Sequence, residues 1–319
     1  MITFILSAIA LGMTFLYGST GEIITEKAGH LNLGIPGIMC VGAAGGCAVL
    51  HQMITGGVKN GFLLVSVAII TSFVSAALMG LLFSFLAVSL HANQNVIGLS
   101  MTTFGVGLMK YIMFGLTDGN SIPYLKALDA FRFPFASYTN GLQYCGVMVF
   151  LAIIVALITS FVLFKTRVGL HLRAVGENPA TADAAGINVT LYKYVATCLG
   201  SGIAGLGVLC YIMNYSGSRE GYLSIEALGW LAIALVIFAL WKPHISIFGS
   251  VIFGALFLAG QFIPSLLSID FLNTMSASPL LKMLPYVVTI IVLIVTSIMN
   301  KKENQPPEAL GLPYFREDR

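Results

Sequence analysis

The sequence predicts an all-α, polytopic integral membrane protein, and three observations lead there. Of its 319 residues 57% are hydrophobic and only 9% charged, against roughly 45–50% and 25% in soluble domains. Stretches such as Gly61 to Leu90 and Tyr144 to Phe164 contain no Asp, Glu, Lys or Arg. Each exceeds the ~20 apolar residues that cross about 30 Å of hydrocarbon as helix. Apolar segments of this kind recur along the whole chain and leave no length for a soluble domain.

Nine segments are expected, at about 1 to 20, 33 to 52, 62 to 90, 95 to 117, 144 to 164, 194 to 213, 227 to 240, 245 to 267 and 284 to 300. The first lacks a basic leader and a small-x-small site before Glu22, so it reads as a retained span rather than a secretory signal. The second opens with Gly34, Pro36 and Gly37, which suggests a broken or unwound entry. The third is long enough to tilt strongly or to hold a re-entrant turn. Glycines cluster in the second span (Gly42, Gly45, Gly46) and the sixth (Gly200, Gly202, Gly205, Gly207). Small residues let helices approach closely where lipid supplies no hydrophobic drive, so these two spans belong inside the bundle. The chain thus divides into one membrane domain, 1–300, with its longest polar connector at 165–193, and a polar tail, 301–319.

Orientation follows from Lys and Arg. With the N-terminus outside, Lys27, Lys165, Arg167, Arg173, Lys193, Lys242, Lys301, Lys302, Arg316 and Arg319 face the cytoplasm. Lys59, Lys126, Arg132, Arg219 and Lys282 face outward, and Lys110 falls within the fourth span, where snorkelling explains it. The excess on one side favours this arrangement in a cell membrane, with the C-terminus cytoplasmic.

Several functions are disfavoured. A net charge of +3 spread over short connectors makes no basic field for nucleic acid. Five cysteines, odd in number and without C-x-x-C, lie in or beside apolar segments and read as small hydrophobes. The five histidines have no metal-ligand spacing, so no metal or cofactor is expected. Gly200 to Gly205 matches G-x-G-x-x-G on paper, but it sits in an apolar helix without a preceding strand, and helix packing is its better reading. No P-loop motif occurs, so ATP hydrolysis has to come from another polypeptide. An ion-coupled transporter would want carboxylates inside the spans, and a membrane enzyme would want a nucleophile or metal cluster; the span interiors show neither.

The connector 165–193 contains a short helix. Asn178 is a good N-cap, Pro179 suits the first helical position, Ala180 to Ala185 favour helix, and Gly186 can take the left-handed backbone that ends it. A helix of about two turns is marginal alone in water and needs a surface to pack on. Its alanines offer a smooth face for a groove on a partner, while a capped turn between two spans is the plainer alternative.

Arg173-Ala-Val-Gly-Glu-Asn-Pro179 followed by Ala184-Ala-Gly-Ile187 resembles the cytoplasmic signature of ABC-importer permeases for branched-chain amino acids, ribose and nucleosides. Glu26 to Gly34, Trp241-Lys-Pro243 and the tail Pro306 to Phe315 point the same way, the tail toward the nucleoside-type branch. The family commonly has Gly where this chain has Ala239 or Leu240. The resemblance implies a permease subunit without its own ATPase, importing nucleosides, with simple sugars or branched-chain amino acids as alternatives. It implies that Arg173, Gly176, Glu177, Asn178, Pro179, Ala182, Ala185 and Gly186 form a coupling helix docking on an ATPase subunit. It further implies a second permease subunit, expected to be a distinct homologue, and an extracellular solute-binding lipoprotein.

Polar residues in or beside spans are candidates for the solute path, because burying them unpaired in lipid is costly. Asn32, Asn93, Asn95, Thr102, Thr103 and Gln261 qualify, together with Gln94. Amides and hydroxyls can bond an uncharged polar solute, although bonding between helices is the commoner role for each. Glu22, Glu26 and Lys27 end the first span and read by default as solvated boundary charges.

Overall fold

The structure is a computed structural model that describes residues 2–116, 128–138, 141–216, 225–266, 283–299 and 305–315; within these, the side chains of 215, 216, 260–266, 296, 297 and 299 lie outside the description. The described residues contain helices and turns and no strand. The long helices are α1 (Ile2–Lys27), α2 (Ile35–Thr55), α3 (Gly61–Ser84), α4 (Gln94–Gly115), α6 (Val147–Lys165) and α9 (Val189–Cys210). The short α5 (Leu128–Phe131) precedes α6, and α7 (Arg167–Glu177) and α8 (Pro179–Ala184) precede α9. Helices α10 (Glu226–Phe238), α11 (Pro243–Leu266) and α12 (Leu284–Met299) complete the set.

Among the described residues six helices are long and apolar enough to cross a membrane, and three shorter apolar helices cover Glu226–Phe238, Pro243–Ala259 and Leu284–Val295. These helices coincide in position with the expected apolar segments, six of them long enough to cross a membrane by themselves. The third does not turn back: α3 runs on into a single π-helical turn, Phe85–Ser89, as one rod. The second is not broken internally, since Pro36 sits in the first turn of α2, where its missing N–H has no helical partner to lose.

Helices α1, α2 and α9 are the most buried of the six, and α3 and α6 the least. Glycine explains a close crossing between α1 and α9. A Cβ on Gly21 would strike the Gly200 carbonyl oxygen, and one on Gly200 would strike that of Gly21, so α1 and α9 touch backbone to backbone. Around this seam lies a core of Met13, Leu16, Tyr17, Ile38, Met39, Val208 and Leu209. Within it Tyr17 Oη donates to the Met148 carbonyl of α6 at 2.8 Å. All five cysteines are free, and four are buried.

Helix direction alternates along the chain, and one pole of the bundle collects the segments 28–34, 90–93, 166–188, 239–242 and 305–315. Leu31 N–H donates to Gln94 Oε1 at 2.9 Å, Gly311 N–H to the Gly29 carbonyl at 3.1 Å, and Ala309 N–H to the Gly176 carbonyl at 3.1 Å. The opposite pole brings Gly141 against Thr3 and Gly61 against Ala130.

Candidate functional site

The pole that gathers the connectors is the candidate site. Its centre is the α7–α8 unit. Thr166 caps α7 by accepting from Gly169 N–H at 3.2 Å, and Asn178 caps α8 by accepting from Thr181 N–H at 2.9 Å. Pro179 occupies the first turn of α8. Gly186 ends the unit with φ +83°, the left-handed conformation glycine takes without a Cβ penalty. The expected short helix is therefore present with its expected caps. Helix α7, with eleven residues, was not anticipated; Val168, Leu172 and Val175 alternate with Arg167, Arg173 and Glu177 and were the available signal.

The two faces of α8 differ. Ala182 is buried, packed in a small cluster with Val175 and Val189, so it anchors α8 to its own chain. Ala185 and Glu177 are exposed. Gly176 lies buried beneath the tail and Arg173 spreads its guanidinium over the Phe164 ring at 5.3 Å. The tail braces the same unit: Glu308 N–H donates to Glu177 Oε2 at 3.3 Å and Tyr314 Oη to Asp183 Oδ2 at 3.1 Å.

Glu22 and Glu26 are not solvated boundary charges. They are 1% and 3% exposed and serve as acceptors for chain segments that enter this pole. Glu22 Oε1 takes the Asn32 N–H at 3.1 Å, and the Glu26 carboxylate takes the Trp241 indole N–H. Lys27 lies over the Trp241 ring, 6.0 Å from its centroid. The turn carrying Trp241 holds Leu240 and Trp241 at φ +54° and +55°. Non-glycine residues rarely adopt that backbone, which gives a physical reason for glycine to be favoured just before the tryptophan. The bulk of Trp241 and its bond to Glu26 hold the turn closed here.

The solute-path candidates separate into two groups. Asn32 is fully buried and accepts from Gly34 N–H at 2.9 Å, Asn93 caps α4, and Thr102 donates to the Leu33 carbonyl at 2.8 Å. These three hold the 28–34 loop and α4 in place. Asn95 and Thr103 are exposed on α4, on a face that carries Ser100 and Lys110 among exposed Val96, Leu99, Phe104, Tyr111 and Phe114, and Thr103 Oγ1 donates to the Leu99 carbonyl at 3.2 Å. The side chain of Gln261 lies outside the described residues. Gln94, 4% exposed, joins the first group through Leu31.

A bundle of long apolar helices, with its connectors braced at one pole, defines a polytopic membrane protein. Comparison with known proteins narrows this class. The family model described as branched-chain amino acid transport system / permease component matches residues 2–294. The chain belongs to that family, and it is a permease subunit, not itself the ATPase. Permeases of this kind work with an ATPase and other ABC components.

Among its relatives, a nucleoside ABC transporter permease of Lactococcus lactis subsp. cremoris is 33% identical, covering 87% of each chain. A putative glucose ABC transporter permease of Haloferax volcanii is 31% identical over 95% of this chain and 94% of the relative. A guanosine ABC transporter permease of Bacillus subtilis is 27% identical over 93% and 91%.

Proposed function

We propose that this chain is the permease subunit of a nucleoside importer. The observation that carries the reading is its similarity to a nucleoside and a guanosine permease over most of all three chains. The tail from Pro306 to Phe315 supports it. A sugar is the second reading, favoured by the putative glucose permease relative.

The braced pole is the cytoplasmic one in this proposal. Among described residues it collects Lys27, Lys165, Arg167, Arg173, Lys193 and Lys242, in keeping with the excess of cations on cytoplasmic sides. Nine crossings within 1–300 then put the N-terminus outside, with 301–319 as a cytoplasmic tail. Helix α8 with Arg173, Gly176, Glu177, Asn178, Pro179, Ala182, Ala185 and Gly186 is the coupling element, and Ala185 presents the docking face to the ATPase subunit. Motion of that subunit would pass through α7 and the tail to α1 and α9.

The polar residues Asn95, Ser100, Thr103 and Lys110, set among exposed Val96, Leu99, Phe104, Tyr111 and Phe114 on α4, are the proposed wall of the solute path. Polar groups facing lipid are costly, so this face fits a second permease subunit, a distinct homologue, and a water-filled route between the two. Asn32, Asn93 and Thr102 support the wall rather than line it, and Gln261 is kept as a candidate. A solute-binding lipoprotein delivers the cargo from outside.

The test is uptake of labelled nucleosides, glucose and branched-chain amino acids by cells with and without this chain. Loss of nucleoside uptake alone is expected. Loss of glucose uptake alone establishes the second reading, and loss of amino-acid uptake alone overturns both.

A further inference from the structure

A cavity of about 800 Å³ opens at the braced pole, between the end of α3, the start of α4, the α8–α9 connection and the tail. Its wall includes His91, Gln94, Thr190, Lys193, Tyr314 and Phe315. Lys193 is 3% exposed, yet among the described residues its ammonium makes no hydrogen bond or ion pair. A buried, unpaired cation is costly unless something completes it. The surroundings carry both signs, with two helix N-termini set against the Asp183 carboxylate and the C-terminal end of the α3 rod at Ala87 to Ser89. Two 22-residue helices, α4 and α9, begin at the cavity through Gln94, Val189 and Thr190, and helix N-termini favour anions. Gln94 spends its oxygen on Leu31 N–H and leaves its amide NH₂ to donate. The only carboxylate in the wall among the described residues, Asp183, has an oxygen engaged by Tyr314.

We propose that this cavity binds a phosphate-bearing small molecule of nucleotide size, its phosphate paired with Lys193 and the starts of α4 and α9. The volume exceeds the needs of a single side chain and falls within the range of about 300–1,000 Å³ for small-molecule sites. His91 and Phe315, stacked at 4.5 Å and 14°, supply the aromatic surface beside the polar end. Because α8 and the tail form adjoining walls, an occupant would touch both parts of the coupling unit. The site rests on the pole being cytoplasmic only for its physiological source of ligand; binding itself does not.

The experiment uses the full chain purified in detergent and titrated calorimetrically with adenosine monophosphate, inorganic phosphate and uncharged adenosine. Adenosine monophosphate should bind at one site, phosphate should compete, and adenosine should not. Lys193→Met should weaken binding about tenfold or more, as loss of a charge-assisted hydrogen bond requires. Lys193→Arg should retain it, and Lys165→Met, altered at an exposed site, should leave it unchanged. Gln94→Leu gives a second, independent loss if Lys193→Met unfolds, which thermal unfolding reports. No binding by about 10 mM, or equal affinity in folded Lys193→Met, overturns the proposal. So does displacement by phosphatidylglycerol in nanodiscs where phosphatidylcholine has no effect, which assigns the cation to a lipid headgroup. Binding that disappears on assembly with the ATPase subunit gives the cavity to the docked protein and overturns it as well. Because no transport is measured, failure of the nucleoside assignment is read separately.

Discussion

The indole N–H of Trp241 donates to the Glu26 carboxylate, tying the turn between α10 and α11 to the last turn of α1 across 215 positions of sequence. Both side chains are nearly inaccessible. A buried acceptor stripped of its donor loses about 1–3 kcal/mol. Trp241→Phe should therefore lower the unfolding temperature in detergent, and Glu26→Gln, which keeps an acceptor oxygen, should lower it less. In the double variant the losses should fall short of additive, since both remove one contact. Strict additivity shows that the two side chains act independently.

Ala182 and Ala185 sit three residues apart on α8 and should fail in different ways. Arginine at 182 has to enter the cluster of Val175 and Val189 and would break the unit before any partner is present. Ala182→Arg should make the 166–188 connector sensitive to protease in the isolated chain. Ala185→Arg, at an exposed position, should leave it resistant while suppressing solute-stimulated ATP hydrolysis in the assembled complex. Normal transport by Ala185→Arg removes this face from the docking surface.

Deleting residues 305–319 removes the N–H groups that Ala309 gives Gly176 and Gly311 gives Gly29. The braced pole should then open locally while the bundle stays folded, because the core lies elsewhere. Amide exchange should speed up in 28–31 and 174–186 and hold steady in the middle of α9. Unchanged exchange at 174–186 means the tail merely rests on the unit.

Burial, aided by the positive charge of Lys193, holds the His30 imidazole down from 6.5 to about 3, and its Nδ1 meets Thr197 Oγ1 at 2.8 Å. Only the unfolded chain takes up a proton between these values, so stability is full above about 6.5 and falls as pH drops toward 3. His30→Gln should flatten that acid decline. Carbon-13 shifts of labelled His30 should show no titration between about pH 5 and 8. A midpoint in that range contradicts its burial in solution.

Much of this was open to reading from sequence because the bilayer constrains composition so strongly. Uncharged runs longer than a membrane is thick can be little else than helix, and glycines clustered in two of them marked α2 and α9 as interior. Asn178, Pro179 and Gly186 act through their own backbone neighbours, so the ends of α8 were legible locally. Helix α7 was harder to see, since its apolar stripe is short and lies within a charged connector.

What the sequence alone determined was therefore an all-α membrane protein, its apolar segments in order, its lack of a phosphate loop and the caps of one short helix. Only the tertiary structure decided that Glu22 and Glu26 are buried acceptors, that Ala182 faces inward while Ala185 faces out, and that Lys193 lines a cavity with the tail. The difference is physical. Helix formation in lipid and capping depend on residues within a turn or two of one another, whereas the burial of a charge depends on which distant segments the fold brings over it, such as Asn32, Trp241 and Tyr314.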